Sequence, residues 1–392
     1  MGLNHPRSIE DWQRWQDSRH RARRAKHALV GTMRRARAGA RRPDGDAADA
    51  APDAAPAPAS NTASASNTAS TPAFVIVSRA PQGSAQERAR TLICLDSASP
   101  TSRASLLSVL PYVTGGIDVL APAGLDLPEA TGPEWIERGF DTLEQAAGAA
   151  SDAAPTAVVS IGRHLAAGAA AHGIARSLDV PEFVVQHGVL TPFAPPLPEG
   201  ATLLAWSEAD AEFWRSGRTD VGARTVGSQL LWQAAHEAER APRLDSVLLG
   251  SERPVFLGQL HGAELPRRVT GGAAVRFCRE HDGLYRPHPA ETDVLSRAQH
   301  RLWRRRDIAF ADTDAPLRDL PNPVVSVFST GVLEAAARGG DAWVFAPAAP
   351  AWVHELWERY DMRPVGAEPT PSPVVDAEEP AARIARILEE GS

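Results

Sequence analysis

Lysine is almost missing from this chain. Lys26 is the single lysine among 41 Lys/Arg. Alongside heavy use of alanine and proline, this reads as the codon bias of a GC-rich genome, so an arginine where a lysine would serve carries little weight here. Cysteine is scarce too. Cys94 and Cys278 are the only two, which excludes a disulfide scaffold and a cysteine zinc site and fits a reducing cytoplasm. No run approaches 18 apolar residues, so no membrane-spanning helix is expected. The charged N-terminus has no apolar signal core, and secretion is not expected. Walker, G-x-G-x-x-G and G-x-S-x-G motifs are all absent, leaving ATP, NAD and serine-hydrolase readings without a motif.

What is present is divided unevenly. The net charge is −7. Residues 1–42 hold 12 Lys/Arg and 3 Asp/Glu, or +9, so the remainder carries 29 against 45, or −16. An acidic body argues against nucleic acid as a partner. The basic N-terminus (1–42) reads as a separate helix over 8–38, with Ser8 and Asp11 in a capping arrangement. Trp12, Trp15, Ala22, Leu29 and Met33 fall on one side of it. Such a helix suits an anionic membrane surface, or docks on its own body or on another copy. Residues 43–72, with SNTAS twice and almost no large apolar side chain, read as a disordered tether.

From residue 73 short apolar runs alternate with helical stretches. AFVIVS (73–78), TLICLD (91–96), IDVLAP (117–122), TAVVSIG (156–162), EFVVQHG (182–188) and TLLAWS (202–207) form a first series of strands. Helices are expected at 100–113 and 163–178. PVFLGQL (254–260), GLYRPHP (283–289), DIAFAD (307–312), PVVSVFS (323–329) and AWVFAP (342–347) form a second. Near-continuous Val/Ile/Leu runs imply strands covered on both faces of a parallel sheet. The fold class is therefore α/β, two doubly wound Rossmann-like domains facing a cleft. The expected division is 73–230, a crossover at 231–253, and 254–392, with the final helix, 376–390, packing on either domain.

Ligands in such sheets bind beyond the carboxyl ends of the strands. In the second domain those ends carry Gln259, His261 and Gly262, then Arg286 and His288, then Asp314, then Ser329, Thr330 and Gly331 opening a helix with Glu334. Two prolines around His288 force a stiff turn. Arg286 offers a planar fork to phosphate oxygens, and His288 a proton or hydrogen bond. The Ser-Thr-Gly turn presents free N–H groups to phosphate, with Glu334 placed for ribose hydroxyls; it equally reads as an ordinary helix cap. In the first domain His187, between Gln186 and Gly188, is the preferred general base, with Asp96 its rival. Gly162, Arg163 and His164 form a turn suited to an anionic acceptor. The lone D-x-D at 312–314 is too weak to imply a metal, and no metal or other cofactor is expected.

An HP histidine after one strand, followed about forty residues later by a Ser/Thr-rich turn with a glutamate in the next helix, resembles bacterial GT-B transferases. The nearest kinds are the CDP-glycerol glycerophosphotransferases of teichoic acid synthesis and the sialyl- and polysialyltransferases of capsule and lipooligosaccharide synthesis. LLAWSEADAEFWRSGRTDVGARTVGSQLLW (203–232) is similar to the end of their first domain. Gln186-His187-Gly188 departs from the Trp-His-Gly turn of the glycerophosphotransferases. The resemblance implies donor-phosphate contacts from His288, Ser329 and Thr330, ribose contact from Glu334, a CMP-, CDP- or UDP-linked donor, and metal-independent catalysis. Asp314 would lie near base or ribose. The expected function is sugar transfer from a nucleotide-activated donor to a cell-surface polysaccharide or lipid-linked acceptor. It would take place in the cytoplasm, peripherally at the inner membrane face. Polyol-phosphate transfer from a CDP-linked donor and a non-catalytic, membrane-tethered nucleotide-binding scaffold remain alternatives. An epimerase is disfavoured because no carboxylate cluster suits C2 proton transfer.

Overall fold

A computed structural model describes residues 2–19, 72–82, 89–240, 253–259, 264–289, 291–312, 316–375 and 377–390. The chain divides into one unit of Met1–Trp12 with Pro72–Ser392, and a second of Gln13–Thr71. Of the second only Gln13–Arg19 are described, as the continuation of helix α1 (Ile9–Arg19). The expected helix beyond residue 19 and the linker to residue 71 lie outside the described residues, as do residues 241–252 of the crossover. Ser8 caps α1 as its spacing predicts, accepting from Asp11 N at 3.1 Å.

The first half of the large unit runs β1 (Phe74–Arg79), β2 (Arg90–Cys94), α2 (Pro100–Leu106), β3 (Gly116–Pro122), β4 (Trp135–Phe140), α3 (Leu143–Asp152), β5 (Ala157–Ser160), α4 (Ala166–Leu178), β6 (Glu182–Val185), β7 (Thr202–Ala205), α5 (Glu208–Arg215), β8 (Gly222–Thr225) and α6 (Gln229–Arg240). Among the described residues these strands form one sheet in the order β4-β1-β3-β2-β5-β6-β7-β8. β3, β2, β5, β6, β7 and β8 are parallel neighbours. Two expectations change. The 73–78 strand is antiparallel to both β3 and β4, because only ten residues separate it from β2, too few for a parallel crossover. The helix expected over 100–113 stops at Leu106 and continues as turns. β4 was not foreseen: four of its six residues are exposed, so it lacks the apolar run of a buried strand.

The second half runs β9 (Val255–Leu257), α7 (Arg267–Glu280), β10 (Leu284–Arg286), α8 (Val294–Arg304), β11 (Val324–Ser326), α9 (Thr330–Ala337), β12 (Ala342–Val344), α10 (Ala351–Arg359) and α11 (Pro380–Glu390). Its four strands are all parallel, in the order β10-β9-β11-β12. Residues 307–312 do not make the expected fifth strand. Only Phe310 bridges, to Tyr285. The molecule is thus mixed α/β with two Rossmann-like sheets.

Helix starts follow local capping chemistry. Thr142, Ser207, Asp293 and Ser329 accept N–H bonds at the first turns of α3, α5, α8 and α9, each worth about 1 kcal/mol. The last helix settles the question left open by sequence. Ala381, Ile384, Ala385 and Leu388 of α11 pack into the first sheet's core with Ile93, Leu106 and Ile117, so the chain returns to its first half. Gln229 pins that return by accepting from Ala381 N and donating to Glu379.

Candidate functional site

In each sheet the strand order reverses beside one strand, and this is where open α/β sheets bind ligands. In the second sheet the reversal lies between β9 and β11. Gln259 follows β9, and its Oε1 accepts from Phe328 N at 3.1 Å, so the side chain bridges the ends of the two strands. Ser329 then caps α9, its Oγ accepting from Gly331 N at 3.1 Å. A Cβ at Gly331 would sit 2.8 Å from Leu317 and 2.9 Å from Leu257. Close packing under the helix start is enough to require that glycine. Glu334 forms an ion pair with Arg338 at 2.8 Å, one turn along the same helix. His261, Gly262 and Asp314 lie outside the described residues.

On the other side of β9, the RPHP turn leaves β10. Arg286 is half-buried; burial pushes its pKa down, and the Asp312 carboxylate opposes that push. His288 is exposed, but its backbone is fixed. Glu291 Oε1 accepts from His288 N at 3.2 Å, and Glu291 N donates to the His288 carbonyl at 2.8 Å. The Glu291 carboxylate also receives the Tyr285 hydroxyl at 2.9 Å and lies 2.6 Å from His300 Nε2 of α8. Burial first, and then this carboxylate, push the Tyr285 pKa up. Sequence reading named His288 and missed Glu291, although a glutamate three residues past the histidine is visible in PHPAE. The RPHP turn and the α9 start flank the end of β9, two strand spacings or about 10 Å apart.

In the first sheet the order reverses between β2 and β5. Asp96 follows β2, and both its oxygens are engaged at the start of α4: Ala167 N donates at 2.7 Å and Gly168 N at 3.1 Å. A helix with no side-chain cap of its own is thus capped from the neighbouring strand, and Asp96 has a structural role that its sequence position did not reveal. Burial raises its pKa against those bonds. Gly162 lies at φ +110, and a Cβ on Gly168 would be 2.0 Å from the Gly162 carbonyl. The 162–164 turn is therefore pressed against the helix. Arg163 approaches His172, whose other nitrogen lies 2.7 Å from Glu182.

His164 and His187 come together here. Burial holds both pKa values down at about 4, and His187 adds a repulsive contribution at His164. The Nδ1 atoms of both are buried without a hydrogen-bond partner among the described residues. Trp12 meets the His164 ring edge-on at 5.9 Å and donates from Nε1 to the Phe193 carbonyl at 2.7 Å. The tryptophan is 5% exposed, so it docks on the protein's own body, one of the options that sequence left open.

The two halves meet at the loop after β6. Gln186 is buried and fully used. Its Nε2 donates to the Gly188 carbonyl and to Asp210, and its Oε1 accepts from Trp206 N. This fixes Gly188 against the start of α9, where a Cβ would lie 3.4 Å from Thr330 Oγ1. Val189 N donates to that same hydroxyl at 3.2 Å. His187 and the Ser-Thr-Gly turn therefore share one neighbourhood. Tyr360 and Arg359 complete the junction: Tyr360 Oη donates to Asp210 at 2.6 Å and accepts from Leu190 N at 2.8 Å, while Arg359 donates to the Leu190 carbonyl. Nothing in the sequence pointed to Asp210, Arg359 or Tyr360, since the bonds that join them across the two halves span 150 or more residues. Among the described residues no group of three or more His, Cys, Asp or Glu could hold a metal, and no helix is long and apolar enough to cross a membrane.

No family model and no curated protein matches the chain. Among solved structures it is similar to a UDP-N-acetylglucosamine 2-epimerase from Rickettsia bellii, with 11% identity and a TM-score of 0.43 over 77% of this chain and 94% of that one. It is also similar to a glycosyltransferase from Rickettsia africae, with 9% identity and a TM-score of 0.40 over 77% and 93%.

Proposed function

We propose that the chain is a GT-B-type glycosyltransferase that moves a sugar from a nucleotide-activated donor to a glycan or lipid-linked acceptor. The single observation that carries this reading is the seating of the 187–189 loop on the start of α9, with Val189 N bonded to Thr330 Oγ1. It supports a shared site in which residues 254–392 hold the donor and residues 73–230 the acceptor. Arg286, His288 and the 329–331 turn would face the nucleotide phosphate. Donors aimed there stabilise the charge that grows as the glycosyl bond breaks. His187, neutral at pH 7, is the candidate to accept the acceptor's hydroxyl proton, although burial, which lowers its pKa to about 4, weakens it as a base. Asp96, with both oxygens committed to α4, is the weaker choice of base. Glu334 would have to exchange Arg338 for a ribose hydroxyl. Polyol-phosphate transfer would use the same donor groups.

The test is a thermal-shift panel of CMP, CDP, UDP and GDP and their sugar conjugates against the parent chain and His288→Ala. A ligand that binds only the native state raises the melting temperature by mass action. At least one nucleotide should raise it, and transfer from the matching donor should fall by about 100-fold or more in His288→Ala while circular dichroism stays native. If no nucleotide shifts the parent, or turnover survives the substitution, the proposal fails.

A further inference from the structure

Helix α8 has two different faces. Inward, Ser296, His300 and Trp303 are buried, with Trp303 edge-on to Tyr285 and His300 against Glu291. Outward, Val294, Leu295 and Leu302 stand in solvent at 51%, 69% and 46% exposure. With 100° per residue, Val294, Ala298, Leu302 and Leu295 fall in one stripe about 100° wide. Arg297, Arg301 and Arg304 line one flank of the stripe, with Arg304 stacked over Phe310; Arg305 and Arg306 follow where the helix ends, and all five are exposed. Residues 294–306 contain those five arginines and no acidic residue, within a body that is −16 after residue 42 by the charge count above. On the N-terminal side the carboxylates are committed elsewhere, since Asp293 caps the helix and pairs with Arg267 and Glu291 holds His300; Asp307, exposed, follows the arginines. Core packing does not explain solvent-facing leucines, and solubility does not explain placing them beside a block of one charge.

We propose that the outer face of α8 docks on an anionic lipid bilayer. A leucine-bearing stripe fits the acyl boundary, and a flank of arginines fits the negative headgroups above it. The helix lies in the interface plane and does not span it. Because its inward face holds Glu291, which fixes the His288 backbone, docking brings the RPHP turn within about one helix diameter of the lipid. The inference stands apart from the transferase reading, since vesicle binding needs no turnover.

The experiment is co-sedimentation of the full chain with vesicles of phosphatidylcholine alone and of phosphatidylcholine with 30% phosphatidylglycerol. Residues 8–38 are present in every variant, so differences report on α8. The parent should pellet with the anionic vesicles and be released by 0.5 M salt. Leu295→Gln/Leu302→Gln should raise the half-maximal lipid concentration about tenfold, and Arg301→Glu/Arg305→Glu should weaken the preference for anionic lipid by a similar factor. Leu302→Trp should strengthen binding. This keeps the proposal exposed even if a polar variant folds poorly, which circular dichroism of each variant checks. The proposal is overturned if the parent stays in the supernatant, if all variants partition alike, or if Leu302→Trp binds no better. It is also overturned if sedimentation velocity shows a dimer without lipid that Leu295→Gln/Leu302→Gln dissociates, because the face then belongs to a second copy.

Discussion

His164 and His187 each fold with an imidazole pKa near 4, against about 6.5 in an unfolded chain. A depressed histidine favours the native state wherever the unfolded chain has not yet taken up protons. Its contribution is therefore intact at pH 7, and it is lost as pH falls from about 6.5 towards 4, where unfolding is coupled to proton uptake. The native pair takes up protons one after the other, because a charge on one ring opposes a charge on its neighbour. We expect the parent chain to lose on the order of 2 kcal/mol of stability between pH 7 and pH 4.5 from each of these two residues. His164→Gln/His187→Gln should have a flatter profile over that window, read by urea unfolding at half-unit pH steps. Parallel profiles would show that the rings are as solvated in the folded protein as in the unfolded one.

At the scale of elements, the turn after β10 is the clearest case of a small structure held by one buried group. The Glu291 carboxylate is 7% exposed and serves Tyr285, His300 and the His288 amide together. Glu291→Ala would leave a buried hydroxyl and an imidazole without their acceptor, at a cost of about 3 kcal/mol in urea unfolding. His300→Ala and Tyr285→Phe should each give a smaller loss that is not additive with it. An additive set would mean that the three contacts are independent. The strands that were legible in sequence are those with apolar runs, such as VVS of β11 and VLAP of β3, because burial on both faces imposes that pattern. WIERGF of β4 was not legible, because an exposed edge strand needs no such run. Residues 307–312 look like a strand and make only a bridge at Phe310; their apolar side chains serve the packing around Tyr285 and Arg304 instead. The antiparallel pairing of β1 was missed although the ten residues between Arg79 and Arg90 are too few for a parallel crossover. In the candidate site, sequence located the residues at strand ends, because that rule is topological. It did not reveal that Asp96, Gln186 and Glu334 already have protein partners, because those partners are set by distant packing.

At the scale of the molecule, the two halves are joined around one buried carboxylate. Asp210 lies in the first turn of α5 in the first half and is 1% exposed. It accepts from Tyr360 and Gln186 and lies 3.7 Å from Arg359. Burial raises its pKa, and those bonds oppose the rise. Arg359 stacks its guanidinium 3.6 Å over Phe213 and donates to the Leu190 carbonyl, so it and Tyr360, which accepts from Leu190 N, also hold the loop that carries His187. A buried charge keeps its place only while its partners remain. Any separation of the halves must therefore break several of these bonds together, and the junction should be two-state. Tyr360→Phe removes the hydroxyl from both Asp210 and Leu190 N, and Asp210→Asn removes the charge. In a double-mutant cycle on unfolding free energy the pair should couple by about 1–2 kcal/mol. Each variant should also show a larger radius of gyration by small-angle X-ray scattering, with secondary structure retained. Additive energies with an unchanged radius would locate the cohesion of the halves in the apolar contacts of Val189 and Trp206 with the second core, and the carboxylate would then serve only to satisfy its own burial.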